Sequence, residues 1–151
     1  MNHLLRFIRH FLLAIQFFTR IPVDGRLAQW VGYSPAMLRA SAAHFPAVGV
    51  IVGVLVACLT TALLHSLPGV FAPLVAAVMG TAWSVWITGA FHEDGLADVA
   101  DGLGGSYDRE RALTIMKDSR VGAFGAIAVV LALLAKVATL AVIGSLGAVW
   151  M

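Results

Sequence analysis

The chemistry of this chain is concentrated in one stretch, Phe91-His92-Glu93-Asp94-Gly95-Leu96-Ala97-Asp98-Val99-Ala100-Asp101-Gly102. At about 100° per residue, Asp94, Asp98 and Asp101 fall on one face of a helix, while Leu96, Val99 and Leu103 point elsewhere. Carboxylates that close repel one another by roughly a few tenths of a kcal/mol per pair even in water. A divalent cation removes that repulsion, and hard oxygen donors select magnesium, calcium or manganese. The spacing therefore predicts metal ligation by Asp94, Asp98 and Asp101. The competing reading is a solvated acidic loop, which suits Asp108 and Glu110. Those two stand where a short helix running to about Lys117 would begin, and acids favour that end of a helix. Glu93 lies off the shared face and outside the set.

The neighbours extend the pattern. His92 can be a ligand, a proton-transfer group or an interfacial histidine. Gly95 and Gly102 each cost about 1 kcal/mol inside a helix relative to alanine, and the expected benefit is room for a ligand's phosphates. Gly102-Leu103-Gly104-Gly105 ends the helix abruptly, as an anion-binding nest or as a plain loop. Next comes Ile115-Met116-Lys117-Asp118-Ser119-Arg120-Val121-Gly122. Lysine and arginine flanking an apolar run are ordinary membrane anchors. A carboxylate-held metal facing such bases is also what phosphoryl transfer needs, because metal and bases together neutralise phosphate oxygens.

The elements that must position these residues are membrane helices. Of the 151 residues 60% are hydrophobic and 12% charged, against about half and about a quarter in a soluble domain. Mean hydropathy is +0.91, which excludes a disordered chain. No charged residue occurs across the 53 residues from Ala40 through His92, enough for two crossings of about 20 residues each. His65-Ser66-Leu67-Pro68-Gly69 supplies the turn between them. The expected crossings are 45–64 and 70–91, followed by 121–143, which only Lys136 interrupts; at about 10 Å from the end of that crossing, Lys136 can snorkel. Backbone groups in lipid must be satisfied internally, so the fold class is all-α: a polytopic membrane bundle. Residues 1–39 form an N-terminal segment whose first helix alternates apolar and basic faces and suits the interface. A cleaved signal peptide is disfavoured because no small-residue cleavage site follows Phe18.

Charge sets the orientation. Residues 93–120 carry seven acids against four bases, and the rest carries Asp24 against six bases, a net of −3 and +5. The bases flank apolar runs, which points to anionic lipid rather than nucleic acid. The turn at 65–69 has no base, while Arg6, Arg9, Arg20, Arg26 and Arg39 precede the first crossing and four bases follow the second. The positive-inside rule then puts the acidic segment 92–120 in the cytoplasm. Gly49, Gly53 and Ala57 make a small-residue stripe, expected to pack inside the bundle ahead of joining two copies into a homo-oligomer. Cys58 stands alone and reads as an inert core residue.

Three motifs carry a resemblance: Phe17-Phe18-Thr19-Arg20-Ile21-Pro22-Val23, Phe91-His92-x-Asp94-Gly95-Leu96-Ala97-Asp98-x-x-Asp101-Gly102, and Ile115-Met116-Lys117-Asp118-Ser119-Arg120-x-Gly122. In this order and spacing they resemble the cobalamin synthase family, the adenosylcobinamide-GDP ribazoletransferases of bacterial inner membranes. The resemblance covers essentially the whole chain, whose members run longer, so this reads as an N-terminal portion. It implies a Mg2+-dependent transfer joining adenosylcobinamide-GDP to α-ribazole or its 5′-phosphate, with release of GMP. It further implies catalytic roles for Asp94, Asp98, Asp101 and Asp118, and substrate contacts from His92, Gly95, Gly102, Lys117, Ser119 and Arg120. Asp98-x-x-Asp101-Gly102 also looks like the opening of the CDP-alcohol phosphotransferase signature. However, Gly104-Gly105-Ser106 stands where that signature has Ala-Arg. A transporter fragment with a cation site is the reading from another class, since intramembrane carboxylates mark ion pathways.

Overall fold

The computed structural model describes residues 3–149, and these are helical with short connections. An N-terminal group comprises α1 (His3–Phe18), α2 (Gly25–Val31) and α3 (Pro35–Ser41), and a 3-10 turn at Ala42–His44 leads into α4 (Phe45–Ser66). Then follow α5 (Ala72–Thr88), α6 (Phe91–Gly105), α7 (Arg109–Ile115) and α8 (Ala123–Val149). Starts are set locally. Ser34 accepts from the Met37 amide at 3.1 Å ahead of Pro35, and the Asp108 carboxylate accepts from the Arg111 amide at 2.9 Å. Prolines open α4 and α5, where their missing N–H is not needed.

Leu13 and Ile15 of α1 pack with Val23, Val31 and Val48 into a small core beside the first membrane helix. The long helices behave differently. On α8, Ile127, Val130, Leu131, Leu134, Val142, Ile143 and Leu146 are each more than half exposed. In water, leaving seven such side chains half unburied forfeits on the order of 1 kcal/mol each, comparable to the whole stability of a domain. Lipid is the solvent that removes this cost. Pro35–Ser66 and Ala123–Gly147 are long and apolar enough to cross a membrane, and α5 with α6 adds a third span if the pair counts as one. The molecule is an all-helical membrane bundle in which α5 packs against both α4 and α8.

Several boundaries differ from the sequence expectation. The second apolar helix stops at Thr88, because Gly89 and Ala90 both take left-handed backbone, φ +66° and +61°. The chain turns by 86° there, so the acidic segment is a separate helix. Residues 92–120 are largely α6 and α7, the helix expected to carry the acidic face and the short helix expected after Asp108. Cys58, expected in the core, is exposed on α4. The stripe at Gly49 and Gly53 faces open space, with nothing within 4 Å of an added Cβ at either position. Lys136 lies at the midpoint of α8, thirteen residues from each end, or about 20 Å of helix, which is farther from an end than expected.

Candidate functional site

Helix α6 is held at both ends. At its start, the Phe18 ring meets Phe45 and Phe91 edge-on, with centroids 3.7 and 5.1 Å away, and Phe17 meets Phe91 at 5.8 Å. The chain then runs on so that the Arg20 amide donates to the Ile87 carbonyl at 2.6 Å. A Cβ at Gly89 would stand 3.3 Å from the Arg20 side chain. The Phe17–Val23 motif thus clamps the α5–α6 corner. Ala90, a non-glycine in left-handed backbone, costs about 1 kcal/mol, which the aromatic cluster formed by the next residue offsets.

At the other end, Asp101 is buried, 7% exposed. Its two carboxylate oxygens accept from the Gly122 amide at 2.7 Å and the Gly125 amide at 2.8 Å. These are first-turn donors of α8, which no residue of α8 can satisfy and which has no acid of its own there. Asp101 is therefore an N-cap supplied from a different helix, and its negative charge meets the positive end of the α8 dipole. The backbones approach closely. A Cβ at Gly122 would touch the Asp101 carboxylate, and one at Gly125 would touch both that carboxylate and the Ala97 carbonyl, itself 2.8 Å away. Gly102 also serves packing: its Cα faces Met116 and the Ala112 carbonyl of α7, so the room expected there for phosphates is filled.

The carboxylates of Asp94 and Asp98 have no hydrogen-bond or ion-pair partner among the described residues. Asp94 is exposed and Asp98 half-buried, one turn apart. Their stripe runs between the side of α6 that packs on α8, marked by Ala97 and Asp101, and the side at Gly102 that packs on α7. Gly95 has open space around it, so this face is accessible. His92 is exposed, its ring edge-on to Phe91 at 5.8 Å, and at about 100° per residue it lies well away from the Asp94–Asp98 stripe. Glu93, left outside the set from sequence, has one carboxylate oxygen buried without a partner. Among the described residues no three His, Cys, Asp or Glu side chains converge closely enough to enclose a metal. Asp94 and Asp98 nevertheless suit magnesium, which is commonly bound through one or two carboxylates with water and substrate phosphates rather than an all-protein cage.

In the α7–α8 connection, the Arg120 guanidinium donates to both oxygens of Asp118, the closest at 2.6 Å. The Arg120 amide donates to the same carboxylate at 3.1 Å. These bonds hold the Asp118 carboxyl down at about 2 and raise the guanidinium. Lys117 and Ser119 are exposed, and Lys117 has no side-chain partner among the described residues. Of the two bases expected to meet phosphate, Lys117 is the open one and Arg120 is engaged. The roles of Phe18, Gly122 and Gly125 were missed from sequence. The signal for the glycines was present as Gly122-x-x-Gly125 at the start of an apolar run.

An all-helical membrane bundle carrying a carboxylate-lined helix, joined end-on to a crossing and flanked by basic residues, has the parts for chemistry on a phosphorylated substrate. Comparison with known proteins makes the family specific. The pattern of the cobalamin-5-phosphate synthase family matches residues 10–151, and the chain belongs to that family. It is 71% identical over 147 residues to the adenosylcobinamide-GDP ribazoletransferase of Polaromonas naphthalenivorans, covering 97% of this chain and 53% of that protein. The enzyme of the same name from Albidiferax ferrireducens is 74% identical over 82% of this chain and 44% of its own length. That of Shewanella amazonensis is 47% identical over 78% and 42%. The chain thus spans about half the length of the curated relatives it matches. No solved structure matches it.

Proposed function

We propose that this chain carries the phosphate- and metal-binding portion of a transferase that joins adenosylcobinamide-GDP to α-ribazole or its 5′-phosphate, at the cytoplasmic face of a bacterial inner membrane. The observation that carries the proposal is the accessible Asp94–Asp98 face on α6, free of protein partners and clamped at both ends by the two flanking family motifs. In the reaction, the ribazole hydroxyl oxygen forms a bond to the phosphorus bearing cobinamide. The bond from that phosphorus to the GMP oxygen breaks, GMP leaves with the electron pair, and the hydroxyl proton passes to a base or to water. Mg2+ bound there would neutralise charge on the transferring phosphoryl group. Asp94 and Asp98 would hold the ion, with Lys117 pairing with a phosphate as a point charge. Asp101 acts one step back, fixing the carboxylate face against α8. The acids lie on α6, beyond the 86° corner at the end of α5, and this break from the line of the crossing favours transfer chemistry over an ion pathway.

The test uses membranes bearing the chain, given adenosylcobinamide-GDP, α-ribazole and Mg2+, with GMP and the cobalamin product measured. Product is expected to depend on Mg2+ and to fall by orders of magnitude in Asp98→Asn, which keeps size and removes one charge. Mn2+ should broaden the NMR signals of Asp94 and Asp98 in the wild type and far less in that variant. Near-normal turnover in Asp98→Asn, with unchanged broadening, would overturn the assignment.

A further inference from the structure

A groove of about 520 Å3 runs between α4, α5 and α8. Its floor on α4 is Gly49, Gly53 and Ala57, continuing to Leu64, about 22 Å of helix. Small residues at this spacing let a neighbouring backbone come close, yet nothing in the chain occupies the position. Small residues alone would leave the occupant unspecified, but four polar side chains line the same groove: Thr60 of α4, Thr81 and Ser84 of α5 and Lys136 of α8. Thr81 is 5% exposed and its hydroxyl has no hydrogen-bond partner. The hydroxyls of Thr60 and Thr88 instead donate back to carbonyls one turn earlier, at 3.0 and 2.9 Å. A buried hydroxyl left unpaired costs roughly 1–3 kcal/mol, and an unpaired ammonium at mid-helix about as much or more. Both deficits end at an acceptor that is charged and lies in the groove.

The chain cannot supply that acceptor. Its acids are Asp24 and seven residues between Glu93 and Asp118, so α4, α5 and α8 contain none, and a second copy laid along the groove brings none to this depth. Lipid phosphates sit at the interface, about 15 Å from the bilayer midplane, beyond the middle of α8. We propose that the groove receives a membrane-crossing helix with one carboxylate at the depth of Lys136, contributed by the part of the longer relatives' length that this chain does not span. The carboxylate pairs with Lys136 and accepts from Thr81.

The experiment co-expresses the tagged chain with the remaining half of the Polaromonas naphthalenivorans relative as a separate polypeptide, followed by purification in mild detergent. The untagged half is expected to co-purify. Gly53→Leu, which has room in the chain itself, should cut recovery at least tenfold while leaving the tagged chain's helicity unchanged. Lys136→Met should also cut recovery, yet raise the thermal stability of the tagged chain alone by removing its unpaired charge. Val130→Ala, on the outward side of α8, should change neither. Absence of co-purification, recovery of a homo-oligomer alone, or full recovery with Gly53→Leu would each overturn the proposal. Because the readout is association, its failure is distinguishable from failure of the transferase reading.

Discussion

Asp101 shows how a single carboxylate can be structural while lying on the same face as two that are free. Its oxygens hold the Gly122 and Gly125 amides, and hydrogen bonds to a charged group contribute about 1.5–3 kcal/mol. Asp101→Asn keeps one acceptor and turns an NH2 toward a backbone donor, so it should lower stability by about 2 kcal/mol. Gly125→Ala should do at least as much harm without touching a carboxylate, because its Cβ meets both Asp101 and the Ala97 carbonyl. Thermal unfolding in detergent, followed by helical circular dichroism, measures both. If Asp101→Asn leaves the unfolding midpoint unchanged, the cap does not hold the two helices together. Asp118 makes a separate prediction. Its pKa is lowered to about 2 by the hydrogen bonds from Arg120, against about 3.9 unfolded. A depressed carboxyl stabilises the fold above its unfolded value, and that contribution is lost as pH falls from about 4 through about 2. A carboxyl 13C titration should place the Asp118 midpoint near 2, and Arg120→Gln should move it up. A wild-type midpoint near 4 would mean the pair does not form in solution.

Among the elements, α6 was legible in part. The carboxylate periodicity is visible because helices repeat every 3.6 residues, and the structure keeps Asp94 and Asp98 on one accessible side. The same periodicity does not reveal which edge of a stripe meets another helix. Asp101 sits at that edge, and its partners lie 21 and 24 residues away, a pairing only the tertiary packing makes. The α5–α6 corner was hidden for a related reason. Apolar composition runs unbroken through Thr88-Gly89-Ala90-Phe91, and the bend depends on Phe17 and Phe18 arriving from the N-terminal motif. The corner should therefore fail when that contact does. Phe18→Ala removes a half-buried ring from the Phe45–Phe91 cluster, costing about 2 kcal/mol, less than the roughly 3–5 of a fully buried phenylalanine. Hydrogen exchange of the amides at 92–98 should accelerate more than tenfold, while that in the middle of α8 stays unchanged. Equal acceleration in both would mean that Phe18 stabilises the bundle as a whole rather than the corner.

For the whole molecule, the placement of charge decides which face the carboxylate helix looks toward. The Ser66–Gly69 turn between α4 and α5 carries no base, whereas Arg6, Arg9, Arg20, Arg26 and Arg39 precede α4 and Arg109, Arg111, Lys117 and Arg120 lie between α5 and α8. Moving either basic group across a bilayer costs about 2.5–3.5 kcal/mol per charge at the hydrocarbon centre, and the membrane potential favours cations on the inner side. Both groups prefer the same side, and an α4–α5 hairpin allows them to share it. The nucleotide substrate proposed above would be met on that side. With Cys58 replaced by serine, Ser66→Cys should react with an impermeant maleimide added to intact cells, and Ser106→Cys should react only after the membrane is opened. Labelling of Ser106→Cys in intact cells would place α6 on the outer face, where a cytoplasmic nucleotide cannot reach Asp94 and Asp98, and the proposed reaction would fail with the orientation.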